Sequence, residues 1–364
     1  LYVDKYGNGL DIYANATYPT ITNPAANQST YDDKTRGGSV ELSTTRLAGQ
    51  EIKLVTHYKV DKHIARDGVS TITESFQDSL SSYAVEDNVV INPSTLLSLG
   101  ITRHTIKPQE VYKPGSPFAL PGAKTATNGQ IGLFYDFTST SRFYATLAQK
   151  SRLPTIKDRY SARFATYFEN TALLPEASVN YEIGYQGSPW SGSKADAAVF
   201  YSNITDKIQT AYQPGSTACT TTSLCQMQNI GKVQSSGIEL GLNSPVIPAL
   251  ELGGNYTLSV LKNVSDPTTK LTSIPRHKLT AHALYKVGEA FDLITFAEYN
   301  SSRWASNTVA LSGYTTLNLK AVYRATKDIS TEVGVNNLSD RNYSLADGYP
   351  NPGRTWFANA SLKF

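Results

Sequence analysis

The chain has 364 residues, 40% of them hydrophobic and 17% charged, and no apolar run approaches the ~18 residues that a membrane-spanning helix needs. Its net charge of +3 is too small to argue for nucleic acid as a partner. The length allows one large domain or two medium ones, and 23 Tyr and 25 Gly against a single Met favour strands over helices.

The chain opens on Leu1 with no charged-plus-apolar leader and no initiator Met, which reads as a processed chain or a piece of a longer one. From there, apolar and polar residues alternate. A period-two reading predicts about sixteen strands, at 8–17, 36–48, 51–62, 72–88, 95–108, 128–138, 141–151, 177–187, 194–208, 230–243, 249–262, 277–287, 290–302, 312–324, 328–337 and 355–364. The faces are clearest late in the chain. Val179, Tyr181, Ile183 and Tyr185 oppose Asn180, Glu182 and Gln186. Leu279, Ala281, Ala283 and Tyr285 oppose Lys278, Thr280, His282 and Lys286. Leu317, Leu319, Ala321 and Tyr323 oppose Asn318, Lys320 and Arg324. Many of these runs reach ~10 residues, the length of a strand tilted through a bilayer, where ordinary globular strands run ~5–6.

The connections alternate short and long from the second strand onward. The short ones are LAGQ, INPS, TSTS, SPWSGS, SPVIPA, GE and ATK; the long ones include 109–127, 152–176, 209–229, 263–276 and 338–354. Strict alternation puts every tight turn at one end of the sheet and every long loop at the other, as in a transmembrane antiparallel β-barrel. Aromatic residues near strand ends, such as Tyr181, Tyr285, Tyr323 and Trp356, suit the two bilayer interfaces. A soluble sandwich also buries one face of each strand and is the alternative at this point. The acidic and basic residues of the opposite faces, among them Glu182, Glu239, Lys278, Lys320, Arg324 and Lys363, then line a wet interior.

No catalytic constellation stands out, and the chain does not read as an enzyme. Asp32 and Asp33 suit a cation-binding loop or a merely solvated one. Gly37 and Gly38 precede a strand, so no phosphate cradle follows. His57 and His63 share a face but lie ~20 Å apart along an extended strand, which rules out a shared metal. Neither a metal nor a cofactor is called for. The loop RYSARFATYF offers Arg159, Tyr160, Arg163, Phe164, Tyr167 and Phe168, either as anchors for an anionic, oxygen-rich ligand or as a loop packing on itself. Cys219 and Cys225 bracket a short polar stretch in another long loop, as a disulfide in an oxidising compartment or as two free thiols.

The C-terminal stretch VGVNNLSDRNYSLADGYPNPGRTWFANASLKF resembles the end of TonB-dependent outer-membrane receptors. It carries that family's Asn-Leu-x-Asp-x-x-Tyr, its Pro-Gly-Arg turn and its terminal alternating strand in Asn337, Leu338, Asp340, Tyr343, Pro352, Gly353, Arg354 and Phe364. A second similarity lies in Arg152, Pro154 and Thr155, followed by Leu174, Pro175, Glu176, Tyr181, Glu182, Gly184 and Tyr185, although the spacer between Leu and Pro is missing here. The resemblance is specific over roughly 127–364 and general in style before that. It implies a barrel of about 22 strands, of which about sixteen are present. It also implies an N-terminal plug domain and an energy-coupling motif, neither of which is legible in 1–364. The expected protein is then the C-terminal portion of an outer-membrane receptor in a Gram-negative bacterium. Such a receptor imports a scarce ligand, most often a ferric siderophore, with TonB coupling through the missing plug. A complete, passive porin-like channel is the alternative, and a soluble secreted β-protein a second one. Closure of a barrel would explain why the last strand runs to Phe364 with no tail.

Overall fold

A computed structural model describes residues 2–11, 28–67, 71–115, 119–161, 166–213, 216 and 219–363. In chain order the strands are β1 (Tyr2–Asp11), β2 (Gln28–Thr44), β3 (Gln50–Asp67), β4 (Thr71–Asn92), β5 (Thr95–Tyr112), β6 (Lys124–Thr138), β7 (Ser141–Arg152), β8 (Tyr167–Phe168), β9 (Glu176–Gly187), β10 (Lys194–Thr205), β11 (Ile208–Ala211) and β12 (Cys225–Asn229). They continue with β13 (Val233–Ile247), β14 (Leu250–Asn263), β15 (His277–Val287), β16 (Phe291–Asn300), β17 (Arg303–Trp304), β18 (Ala310–Leu311), β19 (Tyr314–Arg324), β20 (Ile329–Asn336), β21 (Ser344–Ala346), β22 (Tyr349–Pro350) and β23 (Thr355–Leu362). One short helix, α1 (Ile156–Tyr160), follows β7.

Sixteen strands form a single antiparallel sheet in the order β1-β2-β3-β4-β5-β6-β7-β9-β10-β13-β14-β15-β16-β19-β20-β23. Every neighbour in the sheet is the next long strand in sequence, so the topology is an uninterrupted meander. Among the described residues β1 and β23 do not pair with each other, so the curved sheet is an open arc of a barrel. The seven tight turns from 45–49 to 325–328 all lie at one end of this arc; the other end carries the long connections that the alternation of loop lengths predicts, except that only three residues separate β3 from β4.

The two faces differ in the way a lipid-facing wall requires. Ile183, Val199, Leu240, Leu293, Val333 and Trp356 stand exposed on the outward face, with no second layer over them among the described residues. That removes the soluble-sandwich alternative, in which these rows would be buried. Aromatic rings cluster where the belt meets the tight turns. Phe137 and Phe143 lie 4.8 Å apart, Tyr185 is 5.6 Å from Phe143, and Phe291 is 5.1 Å from Tyr323. A second set, including Tyr181 and Tyr201 at 6.3 Å, sits nearer the long loops. The inner face instead carries ion pairs such as Lys320–Glu332 at 3.1 Å. Gly184 shows why a residue without a side chain is needed on that face: a Cβ there would fall inside the Tyr144 ring, whose hydroxyl donates to Glu182 at 2.8 Å.

The structure departs from the sequence reading mainly above the belt. β1 occupies Tyr2–Asp11 rather than 8–17, and β2 begins at Gln28 rather than 36; residues 12–17 of the expected first strand lie outside the described residues. β3 and β5 likewise run past 62 and 108 to Asp67 and Tyr112, whereas β4 runs past 88 to Asn92 at the tight-turn end. The physical reason is that a ladder continues by backbone hydrogen bonding where both faces are polar, so alternation disappears while the strand does not. Asp32 and Asp33 are therefore strand residues and not a cation-binding loop. Asp32 pairs with Lys34 at 3.2 Å and Asp33 with His63 at 2.5 Å. The last strand ends at Leu362, the described residues end at Lys363, and Phe364 lies outside them.

The C-terminal motif has a structural role. Asn337 and Asp340 both adopt positive φ, at 51° and 53°, which Asn and Asp tolerate better than most residues. Asn337 then accepts from Arg341 N at 2.8 Å and donates to Arg341 O at 2.9 Å, while Asp340 accepts from Arg354 N at 2.7 Å. These bonds knot both ends of the last long loop together just before β23, and Gly353 is the residue that leaves room for the Asp340 carboxylate.

Candidate functional site

The long loops do not stand free at the open end; they fold over the inner wall. The connection from β7 to β9 begins with Thr155 as N-cap of α1. Its hydroxyl accepts from Asp158 N at 3.2 Å, and the Asp158 carboxylate accepts from Thr155 N at 3.0 Å, a reciprocal capping box. Burial pushes the Asp158 carboxyl up, but the Thr155 donors and the Arg152 guanidinium at 2.7 Å hold it below its ordinary value.

The capped turn aims Arg159 and Tyr160 inward. Arg159 forms an ion pair with Asp78 of β4, both side chains almost fully buried. Tyr160 stacks on Phe76 with ring centres 4.4 Å apart, and its ring also underlies the Arg159 guanidinium at 4.9 Å. Burial raises the Tyr160 phenol above its usual pKa. Phe76 is the middle of a row of rings on the inner wall that continues to His63 at 6.3 Å and from His63 to Tyr31 at 5.6 Å.

Further along the same loop, Glu169 pairs with Lys113, which also holds Glu74 at 2.8 Å. Burial alone would lower the Lys113 pKa; the two carboxylates outweigh it and raise it. β8 runs parallel to β12, which pairs antiparallel with β11, so the β7–β9 and β10–β13 loops share one three-stranded sheet. Tyr167 reaches Thr210 across it at 3.0 Å. Cys219 and Cys225 are joined in a disulfide at the entry to β12, and no free thiol exists among the described residues.

Of the sequence-predicted ligand anchors, Arg159 and Tyr160 are thus packed against β4, Tyr167 is half-buried in the loop sheet and Phe168 beside it is exposed. Arg163 and Phe164 lie outside the described residues.

A cavity of about 520 Å³ opens at the long-loop end between β14, the 264–276 loop and β17. Four cations line it, Lys262, Lys270, Arg276 and Arg303, together with Trp304, and no carboxylate does. The register places Arg276 on the inward face, opposite Ser259. Arg303 lies over the inward Tyr314 ring at 5.9 Å and donates to the carbonyls of Ser344 and Leu345 at 3.0 and 3.1 Å. The Lys270 ammonium stands 5.2 Å over the Trp304 ring. Asp266 stiffens the loop that forms one side: it accepts from Thr268 N at 3.0 Å and from the hydroxyls of Thr268 and Thr269 at 2.5 Å each, and these donors lower its pKa to about 2. Focused positive charge beside an indole suits an anionic ligand with planar or aromatic groups. These cations come from three separate stretches of the chain, and the sequence reading singled out none of them; the adjacency of Arg303 and Trp304 is the one local signal that could have done so.

Comparison with known proteins agrees with this architecture. A family profile described as "TonB dependent receptor-like, beta-barrel" matches residues 2–338, and so extends through the N-terminal third where the motifs are weakest. The ferrienterobactin receptor of Escherichia coli K12 is 25% identical over 346 residues, covering 82% of this chain and 45% of its own. The ferric enterobactin receptor of Pseudomonas aeruginosa is 24% identical over 331 residues, covering 78% and 42%. The chain therefore spans less than half the length of these curated relatives. Among solved structures, the copper transporter OprC superposes on all of this chain and 61% of its own, with a TM-score of 0.79 at 18% identity. The ferric enterobactin receptor PfeA gives 0.71 at 19%, over all of this chain and 59% of its own. An unbroken antiparallel meander, an outward apolar belt and a profile match over nearly the whole sequence lead to one assignment: the chain belongs to the TonB-dependent receptor β-barrel family of the Gram-negative outer membrane.

Proposed function

We propose that this chain is the barrel portion of a receptor that captures an anionic ferric chelate of the siderophore type at its long-loop end and imports it with TonB energy. Coupling runs through a plug domain outside residues 1–364. The observation that carries this reading is the cavity at the long-loop end, lined by Lys270, Arg276, Arg303 and Trp304 with no lining carboxylate. The names of the curated relatives, receptors for ferric enterobactin, support a catecholate cargo. Guanidinium and ammonium groups would hold the anionic oxygens of the chelate, and Trp304 would stack on its rings. Arg159, Tyr160, Tyr167 and Phe168, with Arg163 and Phe164, remain candidate contributors from the neighbouring loop, Arg159 and Tyr160 by holding it against β4. The protein performs no covalent step and is not an enzyme in this reading.

The test is uptake of radiolabelled ferric enterobactin by cells that carry the intact receptor, with and without TonB. Uptake should require TonB, and Arg276→Ala with Arg303→Ala should weaken binding by about tenfold or more, since each removes a charge-assisted contact. Uptake that persists without TonB and tracks the concentration gradient would instead select the passive channel.

A further inference from the structure

The outward face of β2–β5 carries a second concave surface, away from the cavity just described. On these strands the tight turn 45–49 marks the periplasmic end, so the outward residues of β2 run upward from Leu42 and Val40 to Gly38, Arg36 and Lys34. The register sets Val40 beside Thr56, Gly38 beside Tyr58, Arg36 beside Val60 and Lys34 beside Lys62. Val40, Leu42, Leu54, Tyr58, Tyr83 and Ile101 are all exposed, between 48% and 64%, so this is the lipid-facing wall.

Two depressions in that wall meet. The lower one, about 450 Å³, is lined by Leu42, Leu54, Val85 and Ile101, with Arg103 at its upper rim. The upper one, about 1070 Å³, is lined by Lys34, Arg36 and Lys62 around Tyr58, Val60 and Ile64. Val40 and Thr56 line both, so the two form one trough that changes from apolar to cationic along its length. Gly38 has no side chain, which leaves bare backbone on the trough floor between Arg36 and Val40. Its carboxylates are few: Asp32 pairs with Lys34 at 3.2 Å and Glu110 with Lys62 at 2.9 Å, whereas neither Arg36 nor Arg103 has an ion-pair partner among the described residues.

We propose that this trough binds one phosphorylated, multiply acylated lipid of the outer leaflet. The lower half lies in the belt, where only hydrocarbon can fill it, so the occupant needs acyl chains. The upper half lies at headgroup level and presents guanidinium and ammonium groups, which select phosphate over a zwitterionic or neutral head. A protein partner would leave the apolar half to other lipids, and a free anion would use none of it. The site is independent of the cargo proposal, because its residues face away from the interior.

The test is native mass spectrometry of the intact receptor, purified in mild detergent, delipidated and titrated with bis-phosphorylated lipid A. The wild-type protein should retain one lipid A. The triple variant Arg36→Gln, Lys62→Gln, Arg103→Gln should bind it roughly a hundredfold more weakly, at about fivefold per cation removed. Lys320→Gln, on the inward face, should bind as wild type, and dephosphorylated lipid A should bind the wild type as weakly as lipid A binds the triple variant. Folding is read from heat-modifiable gel mobility. Should the triple variant misfold, the single exposed Arg36→Gln serves, with a fivefold loss expected. Equal retention of lipid A by wild type and a folded variant overturns the proposal. Displacement of lipid A by millimolar inorganic phosphate also overturns it, since that would mark a free-anion pocket.

Discussion

Arg159 and Asp78 lie 81 residues apart in sequence and form an ion pair whose side chains are only 3% and 4% exposed. The pair pins the β7–β9 loop to the inner wall of β4, three strands away from where that loop leaves the sheet. Among the described residues one Asp78 oxygen has no hydrogen-bond partner, and burial makes an unpaired charge there costly, so the guanidinium is what makes this placement tolerable. Arg159→Ala is expected to cost about 3–5 kcal/mol locally by leaving a buried carboxylate alone. It should appear as faster proteolysis and amide exchange over 153–175 with the barrel intact. The double variant Arg159→Met, Asp78→Leu should recover most of that protection. If the loop exchanges as slowly in Arg159→Ala as in the wild type, the pin is not what holds it.

The orientation of the wall gives a sharper contrast between adjacent residues. Leu319 faces outward and Lys320 inward, where it pairs with Glu332 at 3.1 Å. Leu319→Arg should lower refolding stability in lipid by ~2–4 kcal/mol if the position lies near mid-membrane. Lys320→Gln breaks a partly exposed pair and should cost under about 1 kcal/mol. Urea titration of folding into vesicles measures both, and equal losses would contradict the assigned faces.

The Cys219–Cys225 bond closes a short loop, with a sequence separation of 6. Alkylation without reductant should leave the mass of the chain unchanged. Cys219→Ser with Cys225→Ser should loosen the β8–β11–β12 sheet by ~2–3 kcal/mol on a chain-entropy estimate. The sixteen-stranded wall does not include these strands, so its own unfolding midpoint should hold.

Acid should affect the cavity loop late. Asp266 has its pKa lowered to about 2 by the Thr268 and Thr269 donors, against an unfolded value near ~3.9. A depressed carboxyl contributes stability above the unfolded pKa, and that contribution falls away between roughly pH 4 and pH 2. Protection of the Thr268 amide should therefore be flat from neutral pH to about pH 4 and gone near pH 2. In Asp266→Asn it should be weaker and independent of pH over that range. A wild-type transition centred at pH 5 or above would mean that another group controls the loop.

Much of this molecule is legible in its sequence because its physics is local and periodic. Alternation places Leu319 and Lys320 on opposite faces, and loop parity places Cys219 and Cys225 at the long-loop end, because a tilted strand in a bilayer has one dry face and one wet one. The motif around Asn337, Asp340 and Arg354 was recognisable too, since its bonds join residues close in the chain. Tertiary structure alone decided the rest. Nothing periodic links Arg159 to Asp78, Glu169 to Lys113 or Tyr167 to Cys225, and nothing in the one-dimensional pattern gathers Lys270, Arg276, Arg303 and Trp304 around one cavity. Loops pack by side-chain pairing across the interior, and such pairing leaves no repeat to read. Above the belt even the strands lose their signature, because β2 and β3 keep their backbone ladders after water or loop atoms have replaced lipid on the outer face.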